Sequence, residues 1–200
     1  MKKMVIVLFT LALQLAGMAS VTTQAQDAAK KSAPKPAPGP SEALLKQWND
    51  IGRKLTAMAE DFPEDKYDFK AAPSAKTFAE RLLHAASANY FFTNLALGQK
   101  PPAEEDAPRS QFKNKAAIIA YVKKSFADGA AAIKSKGDTG LAASVVDPFA
   151  EDNPANAGKE QIRLIDLGYG LVEHSGECYG QLTVYYRTAG MVPPESRPTS

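Results

Sequence analysis

Apolar residues recur along this chain at steps of three and four, and nowhere do they alternate convincingly with polar ones. Leu44, Trp48, Ile51, Leu55 and Met58 make the first stripe. It predicts a helix starting after Pro40, with Ser41 as N-cap and Glu42 at the positive end of the dipole. Phe62-Pro63 ends that helix, because proline disfavours helical backbone at the residue before it. An irregular link to Pro73 follows. The second helix opens on a capping box, Thr77-x-x-Glu80, and carries Phe78, Leu82, Ala85, Phe92 and Leu95 until Gly98 and Pro101-Pro102 stop it. A third runs from an Asn114 cap through Ile119, Val122, Phe126 and Ile133 to Gly137. Residues 138–156 read as loop, with room for a short helix within Leu141–Val146. The fourth helix spans 157–188 and is closed by Arg187, Gly190 and Pro193-Pro194.

Four helical stripes and no strand signal predict an all-α fold, a four-helix bundle whose core includes Trp48, Leu55, Phe92, Val122, Phe126 and Leu182. The connection from Gly98 to Phe112 holds three prolines and three acidic residues and is long for two neighbouring antiparallel helices. It suits a crossover between helices 2 and 3 that returns the chain to the other end of the bundle. Helix 4 contains Gly168, Gly170, Gly176 and Gly180, each costing about 0.8–1 kcal/mol relative to alanine. Two readings stand: local weakness tolerated by packing, or close approach of a neighbour, for which Gly176-x-x-x-Gly180 has the right spacing.

The ends of the chain change the picture of its surroundings. Lys2 and Lys3 precede an apolar run from Met4 to Ala16, then small and polar residues to Ala25. That is the pattern of a secretory signal peptide over 1–25, with Ala19 as a second cleavage point. The run is short of the ~20 residues that span a bilayer, so no stable membrane span is expected after cleavage. Residues 26–40, rich in alanine, proline and lysine, have no large apolar side chain and read as a flexible tether. Residues 41–200 then form one domain, in a protein expected to be secreted or periplasmic.

The chain's net charge of +2 dissolves on the same division. Without the signal peptide and tether, 19 basic residues face 21 acidic ones. No nucleic-acid partner is expected, since that requires a clustered positive face.

The chemistry concentrates in three residues. His174 and Cys178, four apart, share one face of helix 4, and His84 lies on helix 2. Imidazole nitrogen and thiolate sulfur both ligate zinc and similar metals, and three donors are the minimum for an open site. The alternative is ordinary core or surface residues, with Cys178 a small buried thiol. A lone cysteine makes no internal disulfide. Glu173 reads as a solvated edge, and Glu177 as an outer partner of His174 or a substitute ligand. Tyr90, Tyr179 and Tyr185 read as core or rim aromatics, and no catalytic residue is assigned. Phosphate loops, serine-hydrolase elbows and Cys-x-x-Cys pairs are absent from the sequence.

Two segments carry a resemblance. Phe78-Ala79-Glu80-Arg81-Leu82-Leu83-His84-Ala85-Ala86-Ser87-Ala88-Asn89-Tyr90-Phe91-Phe92 resembles helix 2 of the DinB/YfiT-like superfamily. Glu173-His174-Ser175-Gly176-Glu177-Cys178-Tyr179-Gly180-Gln181-Leu182, with the tail through Arg197, resembles the last helix and tail of its exported members. The turn Phe62-Pro63-Glu64-Asp65-Lys66-Tyr67 after a tryptophan-bearing helix fits as well. The resemblance implies a four-helix bundle binding a divalent metal, zinc or nickel, through one histidine on helix 2 and two on the last helix. His84 and His174 match the first two; Cys178 stands where the family usually has histidine.

Three functions compete. The first is a metal-dependent enzyme, a hydrolase or thiol-dependent transferase with an unknown small-molecule substrate. The second is a non-catalytic metal-binding or stress-related envelope module. The third is a bundle with a vestigial site. A homodimer is left open.

Overall fold

Each apolar stripe becomes a helix in the computed structural model, which describes residues 36–150 and 160–198. The signal peptide and most of the tether, through residue 35, lie outside the described residues. The helices are α1 (Pro40–Asp61), α2 (Phe78–Ala96), α3 (Lys115–Leu141) and α4 (Leu164–Thr188). None of them is long and apolar enough to cross a membrane.

Local chemistry sets their ends, not always as expected. The α1 stripe is buried as predicted, but Ser41 is not the N-cap. Gly39 is, and Pro40 takes the first helical position, where its missing N–H costs nothing. The Ser41 amide still needs an acceptor and donates to Asp138 Oδ1 on α3 at 2.8 Å. The capping box on α2 forms, with the Glu80 amide donating to Thr77 Oγ1 (3.1 Å) and the Thr77 amide to Glu80 Oε2 (2.7 Å). Asn114 caps α3 by accepting from the Ala117 amide at 2.9 Å. Ile118, rather than Ile119, is the fully buried residue of its first turns.

Two boundaries move. Gly137, with φ of 57°, breaks the third helix where expected, but one further helical turn follows to Leu141. Residues 157–159 of the expected fourth helix lie outside the described residues, and the helix itself begins at Leu164. Ahead of it, β2 (Gln161–Arg163) pairs antiparallel with β1 (Ser144–Val146), Val145 opposite Ile162. The second half of Leu141–Val146, where the sequence allows a short helix, is therefore strand, and a two-stranded ribbon joins the four helices. Three residues per strand are too few to show an alternation in sequence.

Contacts at the helix ends establish direction. Lys115 Nζ, at the start of α3, donates to the carbonyls of Glu60 (2.6 Å) and Phe62 (2.7 Å) at the end of α1. With the Ser41–Asp138 contact at the opposite end, α1 and α3 are antiparallel. The Tyr186 hydroxyl donates to the Met58 carbonyl at 2.9 Å, which makes α4 parallel to α1. Phe78 stacks on Phe62 at 3.8 Å, while Phe92 meets Trp48 at 5.4 Å, so α2 runs against α1. Helices α2 and α3 therefore start at the same end and run parallel.

The chain between them must return, and it does so along α2. Asn94 Nδ2 donates to the Lys100 carbonyl (2.9 Å), the Ala107 amide to Ser87 Oγ (2.9 Å), and Arg109 Nε to Asp68 Oδ1 (3.0 Å). Beyond its expected stripe α2 also buries Ala79, Leu83, Ala86, Ser87, Asn89 and Thr93, with Ser87 held by the crossover and Asn89 donating to Ser125 on α3 at 3.1 Å.

The core centres on Trp48, whose Nε1 donates to the Phe126 carbonyl at 2.9 Å. A Cβ on Gly129 would lie 2.1 Å from the Trp48 ring, and one on Gly168 would lie 2.7 Å from Leu44. Close approach in α4 thus belongs to Gly168. Gly170, Gly176 and Gly180 have no such neighbour within 4 Å among the described residues.

Candidate metal centre

Adjacent antiparallel packing of α2 and α4 brings His84 opposite His174 and Cys178. One ligand atom from each lies within 4.8 Å of the others. Cys178 Sγ stands 3.8 Å from His174 Nε2, and the two imidazole rings meet edge to face at 4.9 Å. An ion with ligand bonds of about 2.0–2.3 Å in tetrahedral geometry spans donors roughly 3.5 Å apart, so the sulfur–nitrogen pair is close to that spacing.

The crossover supplies a fourth participant. Asp106 Oδ1 lies 2.6 Å from His84 Nδ1, and Lys76 Nζ lies 2.5 Å from Asp106 Oδ2. In the neutral ring's Nδ1–H tautomer the carboxylate accepts the Nδ1–H hydrogen bond, which leaves the Nε2 lone pair of His84 for ligation. Burial would raise the Asp106 carboxyl, but the hydrogen bonds from Lys76 and His84 outweigh it and hold it below its ordinary range. Sequence reasoning missed Asp106. It sits 22 residues from His84, and its only signal was the acidic run Glu104-Glu105-Asp106 on the crossover.

Electrostatics differ between the other two donors. Burial lowers the pKa of His174, helped by His84, so its imidazole stays neutral and able to ligate. Cys178 is almost wholly buried, and that burial pushes its thiol up; the nearby Arg81 guanidinium opposes the effect. Arg81 Nε is itself buried with no hydrogen-bond partner. Glu177 is exposed and stands 3.7 Å from His174 Nδ1, the ring nitrogen on the side away from Cys178. That is the place of an outer partner, and Glu177 is not among the convergent donors. Glu173 is exposed, as expected. Tyr185 is buried, Tyr90 and Tyr179 half-buried.

A cavity of about 390 Å³ opens beside the histidine pair, lined also by Ser87, Ala88, Phe91, Pro102, Glu104, Glu105, Phe149 and Leu171. A second depression of about 350 Å³, between α1 and α3, borders none of the three donors.

The model of the DinB superfamily matches residues 47–182. The chain belongs to the DinB superfamily. A search of solved structures finds YfiT from Bacillus subtilis, described as a probable metal-dependent hydrolase with an unusual four-helix bundle topology. It is 17% identical, with a TM-score of 0.58, and the match covers 80% of this chain and 94% of that one. At that identity the likeness carries the fold alone. No curated protein matches the chain. Within this DinB-superfamily bundle the parallel pair α2 and α3 makes the long crossover obligatory, and the crossover is what brings Asp106 to His84.

Proposed function

We propose that this chain is a metal-dependent enzyme, a hydrolase or thiol-dependent transferase, holding a divalent ion, zinc or nickel, through His84, His174 and Cys178. The convergence of three donors at the edge of a cavity carries this reading. An ion held there by His84, His174 and Cys178 would supply Lewis acidity to a substrate in the cavity. Asp106 keeps His84 in the ligating tautomer and restrains its ring. Arg81 offsets part of the cost of charge on the buried Cys178 sulfur. The cavity walls position a small molecule against the histidines and exclude bulk water from one side of it.

The cavity beside the donors favours this over a closed, non-catalytic site. The burial of Cys178 supports the rival reading of a core thiol in a vestigial site. Elemental analysis after purification in zinc- and nickel-containing medium tests the choice. One equivalent of metal, lost in His84→Ala and His174→Ala, is expected; a folded protein with no metal defeats the proposal. We further propose that the protein is exported and begins near Gln26 after cleavage. Intact mass of the exported protein tests this, and retention of residues 1–19 would refute it.

A further inference from the structure

The walls and rim of the cavity beside His84 and His174 differ in character. Phe91 and Phe149 lie 5.8 Å apart with their planes inclined by 31°, and Leu171 extends the apolar wall. At the rim the crossover presents Glu104 and Glu105. Their neighbour Asp106 is already paired with Lys76 and hydrogen-bonded to His84. Among the described residues neither glutamate has a cation within ion-pair distance, and no lysine or arginine lines the cavity.

We infer that this cavity selects small molecules joining an apolar body to a positively charged group, and disfavours anionic ones. The inference rests on the reading of the cavity as the substrate site and adds the class of substrate it takes. Two independent features favour a cation. Aromatic faces attract ammonium groups through the ring quadrupole, most strongly where water is partly excluded. Two uncompensated carboxylates at the mouth add attraction for a cation and repulsion for an anion, and this selects by charge as much as by fit. In the metal-free chain an anionic molecule would meet both carboxylates with no basic side chain among the described lining residues to offset them, whereas an ion held by His84 and His174 would offset them in part. The volume of about 390 Å³ is at the lower end of small-molecule sites, which limits the body to about one aromatic ring and a short chain.

The test uses two probes with the same body and opposite charge, phenethyltrimethylammonium and 2-phenylethanesulfonate, neither a strong metal ligand. Each is titrated into the full chain at low salt, with and without one equivalent of zinc, and Kd is read from chemical-shift changes. In the zinc-free chain the cation is expected to bind at least about fivefold more tightly, and zinc, whose charge opposes that preference, should narrow the gap. The gap should shrink below about twofold in the double variant Glu104→Gln, Glu105→Gln, and at high salt, where exposed charges are screened. Phe91→Ala should weaken both probes, since both lose wall contact. In the zinc-free chain, equal affinity, an anion preference, a preference that survives in the double variant, or no binding of either probe would overturn the inference. Circular dichroism of the variants establishes that they fold. Zinc content is measured on the same samples: absence of zinc counts against the metal reading, and absence of charge preference counts against this inference alone.

Discussion

Asp106 illustrates how much a single residue can decide. It lies on the crossover, outside every helix, yet its carboxylate orients the imidazole of His84 from 2.6 Å. Outer-shell carboxylates of this kind typically contribute 10–100-fold to metal affinity. Asp106→Asn is therefore expected to lower zinc affinity within that range in a chelator competition while leaving the helical circular dichroism unchanged. Cys178 carries a second consequence. Its buried thiol has a raised pKa, so at neutral pH it holds a proton that must leave on ligation. His174 has a lowered pKa and is already neutral there. Zinc affinity should accordingly fall about tenfold per unit as pH drops through the neutral range, with close to one proton released on binding. Cys178→His should flatten that slope, because a neutral imidazole releases none; calorimetry in buffers of different ionisation enthalpy measures both. An unchanged slope would show that the thiol is not a ligand.

At the scale of elements, the glycines of α3 and α4 separate into two kinds. Gly176 and Gly180 are helical and face no neighbouring atom within 4 Å among the described residues. Each substitution to alanine is expected to stabilise the fold by about 0.5–1 kcal/mol, the helix-propensity difference. Gly129 and Gly168 are contact positions, where alanine would press on Trp48 and Leu44. Overpacking there should cost about 1–3 kcal/mol. Urea unfolding of the four single variants checks the division, and a destabilised Gly180→Ala would contradict it. Thr77, whose side chain and amide both take part in the α2 cap, should cost about 1 kcal/mol on replacement by alanine.

At the scale of the molecule, one core joins all four helices, and its members differ in how completely they are enclosed. Leu182 is fully buried, whereas Phe126 keeps 8% of its surface and borders the depression between α1 and α3. Leu182→Ala is expected to cost about 2–5 kcal/mol, and Phe126→Ala about 3–5 kcal/mol or less, as its site can relax into that depression. Denaturant midpoints read both. Much of this architecture is visible in the sequence, because apolar spacing, the caps Thr77 and Asn114, and the stops at Phe62-Pro63 and Gly98 are local properties of the backbone. The candidate donors were legible too: His174 and Cys178 share a face by helix geometry, His84 on a second helix offered a third donor, and the family resemblance matched the two histidines. What tertiary structure decided is non-local. No periodicity states that α2 runs parallel to α3, that Asp106 returns beside His84, or that Asp138 rather than Ser41 serves the first turn of α1. Nor does it say which glycine of α4 meets a neighbour, or that two three-residue segments pair as strands. Those outcomes depend on which helix faces meet across the bundle, a choice made by packing all the stripes at once.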